Sequence, residues 1–504
     1  MEPLWLGITA RRCYGDKSSR TSVLMAFKTR KPYLEAMVDL APFQSPRPDE
    51  YAPMPKPLKR RDLKGLNIPD GPRSPLLTLR FQKDTPAFLI NAKAEYGDCS
   101  SFFLAGQLFI TAFSPEMVNE VTVSKQGSFI KGVGFDRMRK VLGSGLLTNE
   151  EPIHLRHRRL MQSPFHISKI STYAQTMLNL TRKHISNWSD GQVVAIGPEM
   201  MSLTFDIVAD ILFGTDISAD TKRVQDSMHI AIDRIERTML PGLDRLDNLP
   251  IPYFRKFEKA ANELHDVATR IVNERIASGV KRDDLMGVLL EAQTVDGEKL
   301  SAREISDETL TLILSGHETT ANVLTWIFSY LSQNPKYWDG LAKEADEVFA
   351  REGDEDFARV ILAAPLSGAI FSEVLRLAPP VWISPRRALE DVTLGGREIP
   401  KGAHVLVSQY VTQRDEKYFS SPNEFIPERW SNDFEKSLPR GAYFPFLAGS
   451  RKCLGDQFAL LEGRIIILEI ARQARLTLTG AFPKAQPRAT YRPKGAVAMR
   501  YELI

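Results

Sequence analysis

One stretch late in the chain constrains it most: Phe446-Leu447-Ala448-Gly449-Ser450-Arg451-Lys452-Cys453-Leu454-Gly455. Its cysteine stands just ahead of an amphipathic run that opens near Asp456. At a helix start, free N–H groups and the helix dipole favour thiolate over thiol. Gly449 and Gly455 permit backbone conformations and close approach that a side chain blocks. N–H donors aimed at the sulfur would tune what it donates to a metal. A lone cysteine at a helix start is ordinarily a buried structural residue. That explanation leaves the spacing of the phenylalanine, glycines and arginine around it unaccounted for.

The spacing F-x-x-G-x-R-x-C-x-G resembles the heme-binding signature of the cytochrome P450 family. The resemblance implies that Cys453 is the axial ligand of the iron of heme b. It also implies that Arg451 contacts a heme propionate and that Phe446 packs near the sulfur, with Gly449 and Gly455 shaping the loop. A thiolate ligand pushes electron density onto iron and favours O–O cleavage.

Other stretches agree with that resemblance and fall in the family's order. Glu373-Val374-Leu375-Arg376 lies in a helical run, so its two charges share a face at i and i+3. An exposed pair of this kind contributes little. Phe371, Val374, Leu375 and Leu377 surround this one with apolar residues, which points to burial. The stretch resembles the E-x-x-R motif, and Pro427-Glu428-Arg429-Trp430 resembles the P-E-R-F/W motif that follows it. The resemblance implies a structural network of Glu373, Arg376 and Arg429 that pins the irregular segment under the heme.

Ser315-Gly316-His317-Glu318-Thr319-Thr320 lies in a long helix whose apolar stripe includes Leu310, Ile313, Leu314, Ala321 and Leu324. Gly and Thr are poor mid-helix choices, and an acid in such a run is costly without a task. A zinc-protease H-E-x-x-H pattern would need His at position 321, where this chain has Ala. The stretch resembles the A/G-G-x-D/E-T-T/S oxygen-activation motif, with Ser315 at the usual small first position. The resemblance implies that Gly316 leaves room for dioxygen, Thr319 hydrogen-bonds it, and Glu318 relays protons from solvent.

Propionate anchors follow by the same resemblance. In His154-Leu155-Arg156-His157-Arg158-Arg159 the register is His154 with Arg158, and His157 with Arg159 is the alternative. In Ser384-Pro385-Arg386-Arg387 the anchor is Arg386, with Arg387 as its rival. His154, His157 and His166 form a basic face rather than a metal site, since no Cys or paired carboxylate completes one.

The rest of the chain reads as mainly α with a small β portion. Leu79–Gly97 is expected to be helical, Ser101–Thr111 a hairpin around Ala105-Gly106, Ser114–Val123 helical and Ser128–Gly145 a loop. Helical patterns dominate from Ile153 to about Arg351, with breaks at Gly191, Gly214, 240–252 and 295–299. Val392–Ile399 and Val405–Gln409 are strand-like, residues 411–452 lack a period, and Asp456–Arg475 is a final helix. The resemblance spans residues 67–504 as one catalytic domain and places the heme between the long oxygen-activating helix and the cysteine loop.

Residues 1–75 carry 14 Lys/Arg against 8 Asp/Glu, and nine prolines fall between Pro42 and Pro75. Residues 1–66 therefore read as a basic, Pro-rich leader, poorly ordered or wrapped on the surface. A net charge of +4 over 504 residues gives nucleic-acid binding no footing. Three scattered cysteines favour a reducing compartment, and no run reaches the length of a membrane span. The expected location is cytoplasmic; organelle targeting through the Arg/Ser-rich leader and peripheral membrane contact are the alternatives.

The function implied is a monooxygenase that inserts one atom of O₂ into a hydrophobic substrate by hydroxylation or epoxidation. With 51 residues after Cys453, no fused reductase is expected, and electrons come from a separate ferredoxin or flavoprotein to a monomer. Alternatives on the same scaffold are a peroxide-driven peroxygenase or isomerase, and a non-catalytic heme sensor. The acid–alcohol pair Glu318-Thr319 favours the monooxygenase. Phe129, Phe135, Leu314, Val381, Trp382 and Ile383 are the expected pocket residues, all apolar.

Overall fold

The computed structural model describes residues 65–504 together with Pro55, Leu58 and Leu63, apart from positions 133, 215–222, 225, 229, 234–251, 283 and 294–296. Nearly all of the leader, the expected break at 240–252 apart from Pro252, and positions 295 and 296 of the break at 295–299 lie outside the described residues.

The first helical stretch is two helices, α1 (Leu77–Lys83) and α2 (Thr85–Tyr96), where one was expected. Asp84 leaves helical geometry at φ −155 and its carboxylate caps α2 by accepting from the Ala87 N–H at 3.0 Å. Pro86, in the first turn, has no N–H to continue α1. The hairpin stands as expected: β1 (Ser101–Leu104) and β2 (Gln107–Thr111) turn through Ala105 and Gly106, both at positive φ. Ser114 caps α3 (Pro115–Asn119), which runs on into a π-helical turn to Ser124.

Ser128–Gly145 is not the expected loop. It holds β3 (Phe129–Lys131) and α4 (Phe135–Leu142). β3 is a strand only because it pairs antiparallel with β5 (Ser384–Ala388), some 250 residues away, which local pattern cannot reveal.

The helical body follows: α5 (Ile153–Met161), α6 (Ala174–Ile185), β4 (Val193–Ala195), α7 (Ile196–Phe213), α8 (Pro252–Ser278), α9 (Ala302–Gln333), α10 (Lys336–Phe349) and α11 (Pro365–Leu377). A capping box of Ser301 and Glu304 opens α9. The 32 residues of α9 extend about 48 Å, and they pack against α7, α8 and α11.

After β5 come the hairpin β6 (Val392–Leu394) and β7 (Arg397–Ile399), then β8 (His404–Val407). One sheet runs in the order β1-β2-β8-β5-β3, with only β2 and β8 parallel. The irregular segment beyond β8 holds short helical turns and ends at Cys453. α12 (Asp456–Gln473) then packs against α9 and α10. The last strands, β9 (Ala474–Leu478), β10 (Ala485–Pro487), β11 (Tyr491–Pro493) and β12 (Ala498–Leu503), were not expected. β12 joins β4 and β9, and β10 pairs with β11 close to α9. Among the described residues no single helix is long and apolar enough to cross a membrane.

Candidate functional site

A buried charge network fixes the irregular segment. Arg376 clasps Glu373 with Nε to Oε2 at 3.0 Å and Nη2 to Oε1 at 2.8 Å, both side chains fully buried. Glu373 also accepts from Arg429 Nε at 3.1 Å, Trp430 Nε1 at 2.9 Å and the Ile426 N–H at 3.0 Å. The remaining guanidinium hydrogens of Arg376 go to the carbonyls of Gln413, Pro422 and Glu424. Every charge is answered by the chain itself. The network ties α11 to two parts of the 411–430 loop.

That loop leads to a cavity with about 1570 Å³ of empty space, its mouth included. Cys453 lines it. The Cys453 N–H donates to Phe446 O at 2.8 Å, closing the loop, and Phe446 and Gly455 line the cavity as well. Gly449 has φ +71, and a Cβ there would stand 1.8 Å from Thr122 O, so only glycine lets the loop lie on the turn after α3. Gly455 meets no such crowding within the chain; a Cβ there would reach only the Phe165 ring at 3.8 Å. Desolvation within the cavity, to which Cys453 is exposed, pushes its thiol up to about 11, against the pull of the Gly455 N–H, Arg158 and Lys452. A metal ion at the sulfur would displace that proton.

Cations crowd the same cavity. Lys131, Arg158, Arg386 and Arg451 line it, together with His154, whose imidazole is held by burial down to about 3 and so neutral. The acid among them is Glu150, which takes Arg451 Nη2 at 2.6 Å and the Lys131 N–H at 2.7 Å. Arg451 Nη1 is buried with no partner, and the buried Arg386 donates from Nη1 to its neighbour's carbonyl, Pro385 O, at 3.1 Å. Burial, with Arg451 nearby, holds Arg386 down to about 10, and burial holds Lys131 down to about 7. Buried cations in this excess await anions. A flat group with two carboxylates and a metal that takes sulfur suits this donor set, and heme is such a group.

The cytochrome P450 family description matches residues 69–494. The chain is a cytochrome P450. Cyclooctat-9-en-7-ol 5-monooxygenase of Streptomyces melanosporofaciens is 33% identical over 80% of this chain and 88% of its own. Pentalenene oxygenase of Streptomyces avermitilis is 30% identical over 81% and 89%. Retinoic acid bound cyanobacterial CYP120A1 superposes with a TM-score of 0.77 at 24% identity, over 88% of this chain and all of that one, and shows the fold. The P450 is a monooxygenase, and its cofactor is heme.

Within the P450, His154 and Arg158 line the cavity, one turn apart on α5. Their rivals do not: His157 is buried against Glu308, and Arg159 is exposed. Likewise Arg386 lines the cavity and Arg387 does not. Among the described residues no cluster of three His, Cys, Asp or Glu could hold a bare metal ion.

On α9 the cavity face is Thr311, Leu312, Ser315, Gly316, Thr319, Thr320 and Val323. Thr319 Oγ1 donates to Ser315 O at 2.9 Å. A Cβ on Gly316 would meet Val208 Cγ2 at 3.2 Å, so its small size also serves the packing of α7 on α9. Glu318 departs from expectation. One residue along the helix turns it about 100° from Thr319. Its Oε1 accepts from Thr490 Oγ1 at 2.8 Å, with Arg492 Nη1 at 3.8 Å, next to β11 and outside the cavity lining.

Of the expected pocket residues, Phe135 and Val381 line the cavity. The other four do not. Phe129 packs in the core of the large sheet, and Trp382 Nε1 donates to Arg488 O at 2.9 Å. Ile383 packs against the main core, and Leu314 faces a separate apolar void with Leu310 and Ile313. Leu146, Leu147, Met161, Val208 and Leu212 line the cavity and were missed. The helical period offered one signal: counting back from Thr319 by fours gives 315 and 311 and leaves 314 on the other side.

Proposed function

We propose that this P450 oxygenates a terpene-like hydrocarbon skeleton, by hydroxylation or epoxidation, with electrons from a separate ferredoxin or flavoprotein. One observation carries the reading: the Cys453 sulfur, the Thr319 hydroxyl and an apolar wall of Leu146, Leu147, Val208 and Val381 share one cavity. The two bacterial relatives named above act, by their names, on terpene-type compounds, which supports the substrate class.

Cys453 is assigned as the axial iron ligand, and His154, Arg158, Arg386 and Arg451 as the residues that hold the propionates. Heme bound there supplies O₂ activation. The apolar wall excludes water and holds a substrate by burial rather than by directed bonds. Thr319, whose own hydrogen goes to Ser315 O, keeps its oxygen's lone pairs available as acceptors beside the reacting centre. Glu318 holds its place one residue away, beside Thr490, and is assigned to supplying protons from that side of α9. Residues 67–504 are assigned as the catalytic domain.

The test is Thr319→Ala in the reconstituted enzyme with a cyclic terpene. Expected are unchanged substrate binding and a several-fold rise in peroxide released per electron pair consumed. Full coupling in that variant would remove Thr319 from the mechanism.

A further inference from the structure

Leu146 and Leu147 enter the cavity from the segment between α4 and α5, and that segment is held from outside the cavity. Two consecutive carboxylates of α9 take its backbone. The Ser144 N–H donates to Asp307 Oδ2 at 2.8 Å, and the Leu146 N–H donates to Glu308 Oε2 at 2.9 Å. Both acids are buried, at 2% and 0% exposure, and neither lines the cavity. Gly143 has φ +58, and a Cβ there would stand 2.2 Å from the Asp307 carboxyl, so the backbone lies directly on that group. A tie from another direction completes the hold: Lys131 Nζ donates to Leu146 O at 3.0 Å.

Burying two acids costs heavily unless their charge is met. His157 meets Glu308, Nδ1 to Oε1 at 2.5 Å, and its Nε2 lies 3.2 Å from Glu304 Oε1. Arg156 Nη1 donates to that same Glu304 oxygen at 2.7 Å. Burial opposes a charge on His157, but its hydrogen bonds to Glu304 and Glu308 override it and lift the imidazole to about 9. Asp307 is covered less well. Facing it are the Ser144 N–H, His265 of α8 with Nδ1 3.9 Å away, and Arg303, Glu304 and Glu308 of its own helix. Burial lifts Asp307 to about 7, and burial pushes His265 down to about 4, leaving it neutral.

We propose that Asp307 and Glu308 are positioning residues that set the shape of the substrate cavity by holding Leu146 and Leu147 in place. The proposal rests on the reading of this cavity as a hydrophobic substrate site. It assigns selectivity to two charged groups that no substrate touches.

The test titrates the holoenzyme with imidazole, phenylimidazole and econazole, each read by the shift of the heme absorption band. Imidazole is too small to reach the wall, so it reports the heme site alone. In Glu308→Ala the two bulky ligands are expected to weaken by about tenfold and imidazole by less than about twofold. Because Glu308→Ala strands a buried imidazolium, a second variant combines Glu308→Met with His157→Leu, which removes the charge of both partners together with the acceptor of the Leu146 N–H. The same loss of discrimination is expected there. In the wild type the preference for bulky ligands falls as pH drops from about 8 to about 6, because protonated Asp307 is a weaker acceptor. That fall is lost or reversed in Asp307→Asn, where Lys131, which also titrates near 7 and donates to Leu146 O, is left as the titrating tie. Parallel weakening of all three ligands, unchanged discrimination, or an identical pH response in Asp307→Asn overturns the proposal. Failure of the wild type to bind either bulky ligand would instead overturn the hydrophobic-site reading beneath it.

Discussion

Two clusters of buried charge flank the cysteine loop, and they are built on opposite principles. In the Glu373–Arg376–Arg429 network each hydrogen of Arg376 has a partner and each oxygen of Glu373 accepts at least two bonds. In the cavity cluster one acid, Glu150, takes Arg451 and the Lys131 N–H, Arg158 and Arg386 donate to the Lys452 and Pro385 carbonyls, and Arg451 Nη1 is left without a partner. The first cluster is complete as folded. The second, on the assignment proposed above, would be completed by the carboxylates of heme. A self-sufficient network serves the fold, and an unbalanced one marks where a charged ligand is meant to sit.

The largest effect separating the two comes from Glu373→Ala. It leaves two buried guanidinium groups unanswered and is expected to cost about 3–5 kcal/mol, enough to abolish folded holoenzyme. Thermal unfolding and heme content measure it; a stable variant would show that the network is dispensable.

Arg386→Ala should behave in the opposite sense. Removing a surplus buried cation leaves the heme-free protein as stable or more stable, whereas heme affinity falls by about 1.5–3 kcal/mol, roughly ten- to a hundredfold. Arg387→Ala, one residue away but outside the cavity, should leave heme affinity within about twofold. Equal losses in the two variants would erase the distinction between them.

The smallest effect is one of pH. Burial, reinforced by Arg451, Arg386 and Arg139, outweighs Glu150 and holds Lys131 down to about 7 from its ordinary 10.5. Between those values the unfolded chain binds more protons than the folded one. The contribution of Lys131 to heme-free stability therefore rises as pH climbs from about 7 toward about 10. Heme binding should flatten that slope. Urea midpoints across this range, with and without heme and against Lys131→Met, check it.

The features readable from the chain were those with local cause. The turn at Ala105-Gly106 needs two positive-φ residues, and the long apolar stripe of α9 repeats every three to four residues. The cysteine loop announced itself through Gly449, whose place no side chain can take. What local pattern hid were β3 and the strands after α12, which exist through pairing with distant partners. The cavity wall was hidden for a related reason. Leu146 and Leu147 look like any loop leucines until Asp307 and Glu308, some 160 residues on, fix where they point. Glu318 was assigned by motif, and its hydrogen bond to Thr490 depends on a C-terminal hairpin that the sequence did not disclose.

The length of α9 has a consequence for how such an enzyme can change over evolutionary time. Glu308 and Thr319 sit on one rigid rod, eleven residues or about 17 Å apart. On the roles proposed above, substitutions near the first can reshape what the enzyme accepts while the turn that carries Thr319 stays as it is. A duplicated copy could therefore explore new hydrocarbon skeletons without relearning its chemistry.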